Sequence, residues 1–91
     1  MEDSEYRLIL FISGMSVKSS HAIENLQKIC EEYPAKKIKF EIIDIREASD
    51  KAEEYQIFAI PTLIKISPLP TRTVLGDLSD KEKVLKILEL E

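Results

Sequence analysis

Cysteine is almost missing from this chain, with Cys30 the single example. A lone thiol can close no internal disulfide and build no multi-thiolate metal site, a usage that suits a reducing compartment. Histidine is as scarce, His21 being the only one. Glycine occurs only at Gly14 and Gly76, so no glycine-rich phosphate loop can be formed. No apolar run approaches the roughly 18–20 residues of a membrane span, and the acidic start "MEDSE" is unlike a secretion signal, so no membrane association and a cytoplasmic location are expected. Positive charge is also short. The formal net charge of −4 argues against nucleic acid as a partner, because that affinity comes mostly from neutralising phosphates. What remains as a partner is a protein or a small molecule.

What is present describes one small domain over residues 1–91, 44% hydrophobic and 33% charged. "RLILFI" (residues 7–12) is nearly continuous apolar and reads as a central strand covered on both faces. "SVKSSHAIENLQKICEEY" places Ala22, Ile23, Leu26, Ile29, Cys30 and Tyr33 at helical spacing, with Ser16 or Ser19 to cap the start and Pro34 to close the end. "IKFEIIDI" alternates, Ile38, Phe40 and Ile42 against Lys39 and Glu41, which predicts a half-exposed strand at a charged sheet edge. Together these make a right-handed βαβ unit. "SDKAEEY" predicts a short helix with Asp50 and Glu53 spaced as a capping box. "PTLIKI", the loop "SPLP" and "TRTVLG" follow as strand, turn and strand. In the final "LSDKEKVLKILELE", Ser79 and Glu82 are spaced as a second capping box and Val84, Leu85 and Leu88 share a helical face, so helix is expected, although "KILELE" also alternates as a strand would.

The order βαβαββα resembles the thioredoxin-like α/β fold. That resemblance implies a cis-proline loop in "AIPT", where Pro61 opens a strand as a residue lacking an N–H can, beside the start of the first helix. Redox enzymes of that fold carry a Cys-x-x-Cys there, whereas "SGMSVKSS" holds no cysteine. A serine hydroxyl cannot shuttle electrons through a mixed disulfide, so Ser16 and Ser19 cannot replace a dithiol. Cys30 falls on the apolar helix face and is expected to be buried and structural. His21 has no partner in a nucleophile or metal motif, and Asp44, Glu47, Asp50, Glu53 and Glu54 are interleaved with cations as on a solvated face. The expectation is no catalytic residue, no metal, no cofactor and no enzyme activity.

Three stretches in order, "LILFISGMSVKSSHAIENL", "IIDIREASDKAEEYQIFAIPTLIKISPLP" and "VLGDLSDKEKVL", resemble the KaiB family of circadian clock proteins over nearly the whole chain. The "GDLS" turn and the Ala-x-Pro-Thr-Leu-x-Lys core are its most specific pieces. The resemblance implies a non-enzymatic regulator that binds a KaiC-type ATPase ring, and a family whose second half changes fold between a ground state, usually tetrameric, and a thioredoxin-like monomer. That ground state is the alternative architecture. Partner contacts are then expected at Lys51, Glu54, Gln56, Ala59, Ile60, Pro61 and Thr62, and fold-switch positions at Gly76, Asp77, Ile87 and Glu89. Clock-type members commonly carry glycine and aspartate near Ile87 and Glu89, and glycine weakens a helix by roughly 1 kcal/mol relative to alanine, so Ile87 should favour the thioredoxin-like form. Lys39 and Glu41 depart from the alanine and lysine typical of KaiA-binding members, and KaiA is not expected as a partner. With the chain ending at Glu91, the acidic tail of tetrameric members is missing, which leaves a dimer or a tetramer open. Two competing classes remain: a sensor-type thioredoxin-like signalling domain that also binds KaiC, and a glutathione-binding enzyme using Ser16 or His21.

Overall fold

A computed structural model describes residues 5–90. Its elements run β1 (Glu5–Ile12), α1 (Val17–Glu32), β2 (Lys37–Asp44), α2 (Ser49–Glu54), β3 (Thr62–Ser67), β4 (Arg72–Leu75) and α3 (Lys81–Leu88). The strands form one sheet in the order β2-β1-β3-β4, with β1 and β2 parallel and both other pairings antiparallel. This is the expected thioredoxin-like arrangement, with the last segment as a helix.

Alternation explains the layers. Leu8, Leu10 and Ile12 of β1, Leu63 of β3 and Val74 of β4 share a core with Ala22, Leu26 and Ile29 of α1 and Val84, Leu85 and Leu88 of α3. Phe11 points the other way and meets the Tyr55 ring just past α2, centroids 5.6 Å apart. β1 is fully covered on the face of Leu8, Leu10 and Ile12, whereas on its other face Phe11 is buried, Ile9 is half-buried and Arg7 is exposed, so the expected cover on both faces holds only toward the end of the strand. β2 is a sheet edge, and Lys39 and Glu41 on it are exposed as its alternation requires.

The helix ends confirm one cap and correct two. Ser16 caps α1, its Oγ accepting from the Ser19 N–H at 3.1 Å. The cap of α3 is Asp80, whose carboxylate accepts from the Lys83 N–H at 3.3 Å. Ser79, expected there, instead donates its N–H to Asp77 Oδ1 at 3.1 Å. Asp and Ser are near-equal caps, so neighbouring candidates are separated only by where the chain turns. In α2 the cap position is Ala48, with no side-chain bond, and Asp50 sits in the first turn, where it still favours the helix dipole.

One charged residue lies inside the core. The Lys65 side chain is 0% exposed, and its Nζ donates to Glu89 Oε1 at 2.9 Å. Glu89 is the residue that ends α3, in left-handed backbone conformation with φ 62°. Its carbonyl accepts from the Tyr6 hydroxyl at 2.8 Å, and Arg72 approaches its other carboxylate oxygen at 3.8 Å. Lys65 also sits over the Tyr6 ring, 5.9 Å from its centroid. Three strands thus hold the last turn of α3 through one residue. Left-handed conformation recurs at Gln56 and Leu78, both non-glycine, and at Gly14 and Gly76.

Cys30 is half-buried at the margin of the core rather than inside it. Burial, and then the neighbouring Glu31, push its thiol pKa up, which disfavours the reactive thiolate. Cys30→Ala should therefore lower stability by only about 1 kcal/mol in urea unfolding, and a loss several times larger would place the thiol at the centre of packing. The Lys65 hydrogen bond and charge hold the Glu89 carboxyl below its ordinary value of 4.5. A depressed carboxyl adds stability that is present above that ordinary value and is lost as pH falls through the folded one. The gap in Tm between the parent and Glu89→Gln should be widest above pH 4.5 and should close on acidification. A gap independent of pH would remove Glu89 ionisation from the account.

Candidate functional site

Strand direction brings four connections to one end of the sheet. Ile12 at the end of β1 pairs with Asp44 at the end of β2, Phe11 pairs with Thr62 at the start of β3, and Thr62 pairs with Leu75 at the end of β4. The segments that follow or precede those residues therefore converge: residues 13–16 leading into α1, residues 45–48 leading into α2, residues 55–61, and residues 76–80.

Two of these loops are tied by Asp44. Its Oδ2 accepts from the Gly14 N–H at 3.2 Å and from Arg46 at 3.0 Å, while Oδ1 accepts from the Arg46 N–H at 3.0 Å and Nε at 3.2 Å. Those bonds, the Arg46 side chain first, lower the Asp44 pKa to about 2. The guanidinium lies across Gly14 so closely that a Cβ there would stand 3.0 Å from Arg46 Cζ, and φ is +64°. Glycine takes that φ without strain, whereas a Cβ there would strain the backbone and displace the guanidinium.

The other side of the site is the Pro61 loop. The Ile60–Pro61 peptide is cis, as expected from the thioredoxin-like resemblance. Pro61 O accepts from the Gly76 N–H at 2.9 Å, and Thr62 Oγ1 donates to Ala59 O at 2.6 Å. Pro61 and Thr62 are buried, so among the sequence-predicted contacts these two hold the loop and offer no side-chain area. Ala59 and Gln56 are exposed and Ile60 is half-buried. Lys51 and Glu54 are exposed on α2, 3.6 Å apart, a surface pair of small energetic weight. Gly76 and Asp77 belong to the same end of the sheet. Ile87 packs at the core margin, and Glu89 lies with Tyr6 at the opposite end, so the four expected fold-switch positions form two groups.

Sequence reasoning missed Phe58, which is 93% exposed, although it was visible as a large ring in residues 55–64, a stretch with no charged side chain. With Ala59, Thr73 and Leu75 it borders a recess of about 280 Å³ between the loop and β4. Met15 and Val17, 71% and 72% exposed at the start of α1, were also missed. Chemically the site offers little beyond surface. Ser16 is engaged as a helix cap, and the Asp77 carboxyl is held low mainly by its bonds from Ser79. Among the described residues no three His, Cys, Asp or Glu side chains group as a metal site would need, and no helix is long and apolar enough to cross a membrane.

Comparison with known proteins gives concordant results. Among solved structures, the N-terminal domain of Synechococcus elongatus SasA aligns with TM-score 0.78 at 22% identity, covering 96% of this chain and 86% of that one. The Drosophila melanogaster thioredoxin Deadhead aligns with TM-score 0.76 at 14% identity, covering 98% and 82%. Both likenesses establish the fold. In sequence, the circadian clock protein KaiB3 of Synechocystis is 42% identical over 90 residues, 99% of this chain and 88% of that protein. The circadian clock oscillator protein KaiB of Synechococcus elongatus is 41% identical over 85 residues, 93% and 83% of the two. The KaiB domain profile matches residues 9–90, and the chain belongs to the KaiB family.

Proposed function

We propose that this protein is a non-enzymatic clock or clock-like timing component that docks on a KaiC-type ATPase ring through residues 56–60 and the adjoining face of α2. The observation that carries this reading is the exposed, charge-free loop with Phe58 at its crest, held on a rigid base by buried Pro61 and Thr62. An exposed ring beside a recess has no role in the monomer's own packing, and aromatic anchors of this kind contribute most of the energy in protein interfaces. Lys51, Glu54, Gln56, Ala59 and Ile60 supply the surrounding contacts. Family membership supports a clock component, and the cysteine-free start of α1 sets it apart from the thioredoxins it resembles in shape. The sensor-domain reading has only fold likeness behind it.

Binding of the purified KaiC-type ATPase from the same organism tests the reading. Phe58→Ala and Ala59→Asp should each weaken the complex by about tenfold or more, with Tm unchanged. Full affinity in both variants would remove this loop from the interface, and absence of any complex with the parent protein would overturn ring docking itself.

The populated form of the free chain is the thioredoxin-like one, with Gly76, Asp77, Ile87 and Glu89 as the positions where an alternative arrangement would depart from it. Ile87→Gly should cost α3 roughly 0.5–1 kcal/mol in helix propensity. A terminal strand would lose β propensity as well, but its frayed geometry depends less on each residue. Backbone chemical shifts of residues 84–90 should be helical in the parent and less so in the variant. Strand shifts in the parent, with a tetramer at micromolar concentration, would reverse the assignment.

A further inference from the structure

Six large apolar side chains are exposed among the described residues, and four of them, Met15, Val17, Phe58 and Leu75, belong to the segments that converge at one end of the sheet. Their loops are not loosely placed. Asp44 and Arg46 clamp Gly14 immediately before Met15, Ser16 caps the helix on which Val17 stands, and the Gly76 N–H ties the residue after Leu75 to Pro61. Apolar, exposed side chains on a backbone held in this way leave less ordering cost to binding than the same side chains on a free loop.

The charge around them is predominantly negative. Residues 44–54 carry five carboxylates against two cations. Both cations are engaged within that segment, Arg46 by Asp44 and Lys51 by Glu54. Glu47, Asp50 and Glu53 are exposed and without an ion pair within 4 Å among the described residues, and Asp77 and Asp80 extend the acidic border on the far side of Leu75. The opposing groups are Lys18 and His21 on α1, which lie toward Asp77, and Lys81 and Lys83 at the start of α3, of which Lys81 pairs with Glu32. The basic stretch of the chain, Lys36, Lys37 and Lys39, is at the opposite end of β2.

We infer that the docking face extends beyond the Pro61 loop to Met15 and Val17, and that it selects a protein surface with an apolar centre bordered by lysine and arginine. This rests on the ring-docking reading and specifies the chemistry of the face the ring must present. The apolar centre controls how long the complex lasts, and the acidic border controls how fast it forms. Asp44 and Arg46 are positioning residues for the Met15 loop.

Association with the purified KaiC-type ATPase, followed by biolayer interferometry between 50 and 500 mM NaCl, separates these contributions. The association rate should fall by about tenfold across that range. The triple variant Glu47→Gln, Asp50→Asn, Glu53→Gln should associate about five- to tenfold more slowly at 50 mM, with dissociation unchanged. Met15→Ser together with Val17→Ser, both solvent-exposed and so compatible with folding, should speed dissociation by about tenfold and leave association near the parent value. An association rate that is flat or rises with salt overturns the basic border, and unchanged dissociation in the Met15 and Val17 variant overturns the extended face. Either result leaves ring docking standing. Absence of a complex at every salt concentration overturns the docking reading and this inference with it.

Discussion

A lysine ammonium with no solvent must have a carboxylate, and Lys65 stands in the strand that joins both antiparallel pairs of the sheet. An unpaired buried charge costs several kcal/mol, so any arrangement of this chain that keeps Lys65 inside has to bring an acid to it. Glu89 answers that requirement only if α3 lies across the sheet at one height and stops at one residue. Its carbonyl then falls under the Tyr6 hydroxyl and its second oxygen faces Arg72. The apolar face of α3, with Val84, Leu85 and Leu88, supplies the burial but would tolerate sliding by a turn. The pair discriminates between such placements, a role in which buried ion pairs are better attested than as net stabilisers.

The fold was legible where periodicity was clean. The core face of β1, the α1 stripe and the Pro-led start of β3 follow from side-chain order alone, because each pattern has one period and one mode of burial, whereas cover on the second face of β1 fails at Arg7 and the alternation on β2 fails at Ile42, which is exposed. The last helix was ambiguous for a physical reason: "KILELE" satisfies both periods, and Val84 and Leu85 together with a cap at Asp80 settle the matter only in three dimensions. Cap identity was misread at Ser79 because three consecutive polar residues compete for the first turn. Lys65 could have been suspected, being the one charge in the strand and flanked by Leu63, Ile64 and Ile66, but its partner lies 24 residues later and no local pattern joins them. At the site, the proline loop was legible as a landmark, whereas Phe58, Met15 and Val17 were not. Exposure of an apolar side chain is set by what fails to pack over it, and sequence does not display that.

The thioredoxin frame places a helix start, a proline loop and a glycine turn at one end of a sheet whether or not sulfur chemistry is performed there. In this chain the helix start is occupied by Ser16 as a cap and by Met15 and Val17 as surface, and the glycine turn bonds to the proline loop through Gly76 and Pro61. In the reading proposed above, that end of the sheet presents a surface to a protein where a thioredoxin carries its dithiol. Fold and chemistry separate at the level of a few side chains.

The left-handed residues divide the chain unevenly. Among the described residues up to position 45 that conformation falls on Gly14, which carries no penalty, whereas Gln56, Leu78 and Glu89 adopt it with a Cβ, at a cost of roughly 1–2 kcal/mol each. Conformational energy is therefore stored after β2, at the end of α2, ahead of α3 and behind it. The strained positions all lie in the second half, where contacts such as those of Glu89 hold one of them in place. A perturbation spread evenly over the molecule would move the two halves unequally, with β1, α1 and β2 serving as the stationary frame.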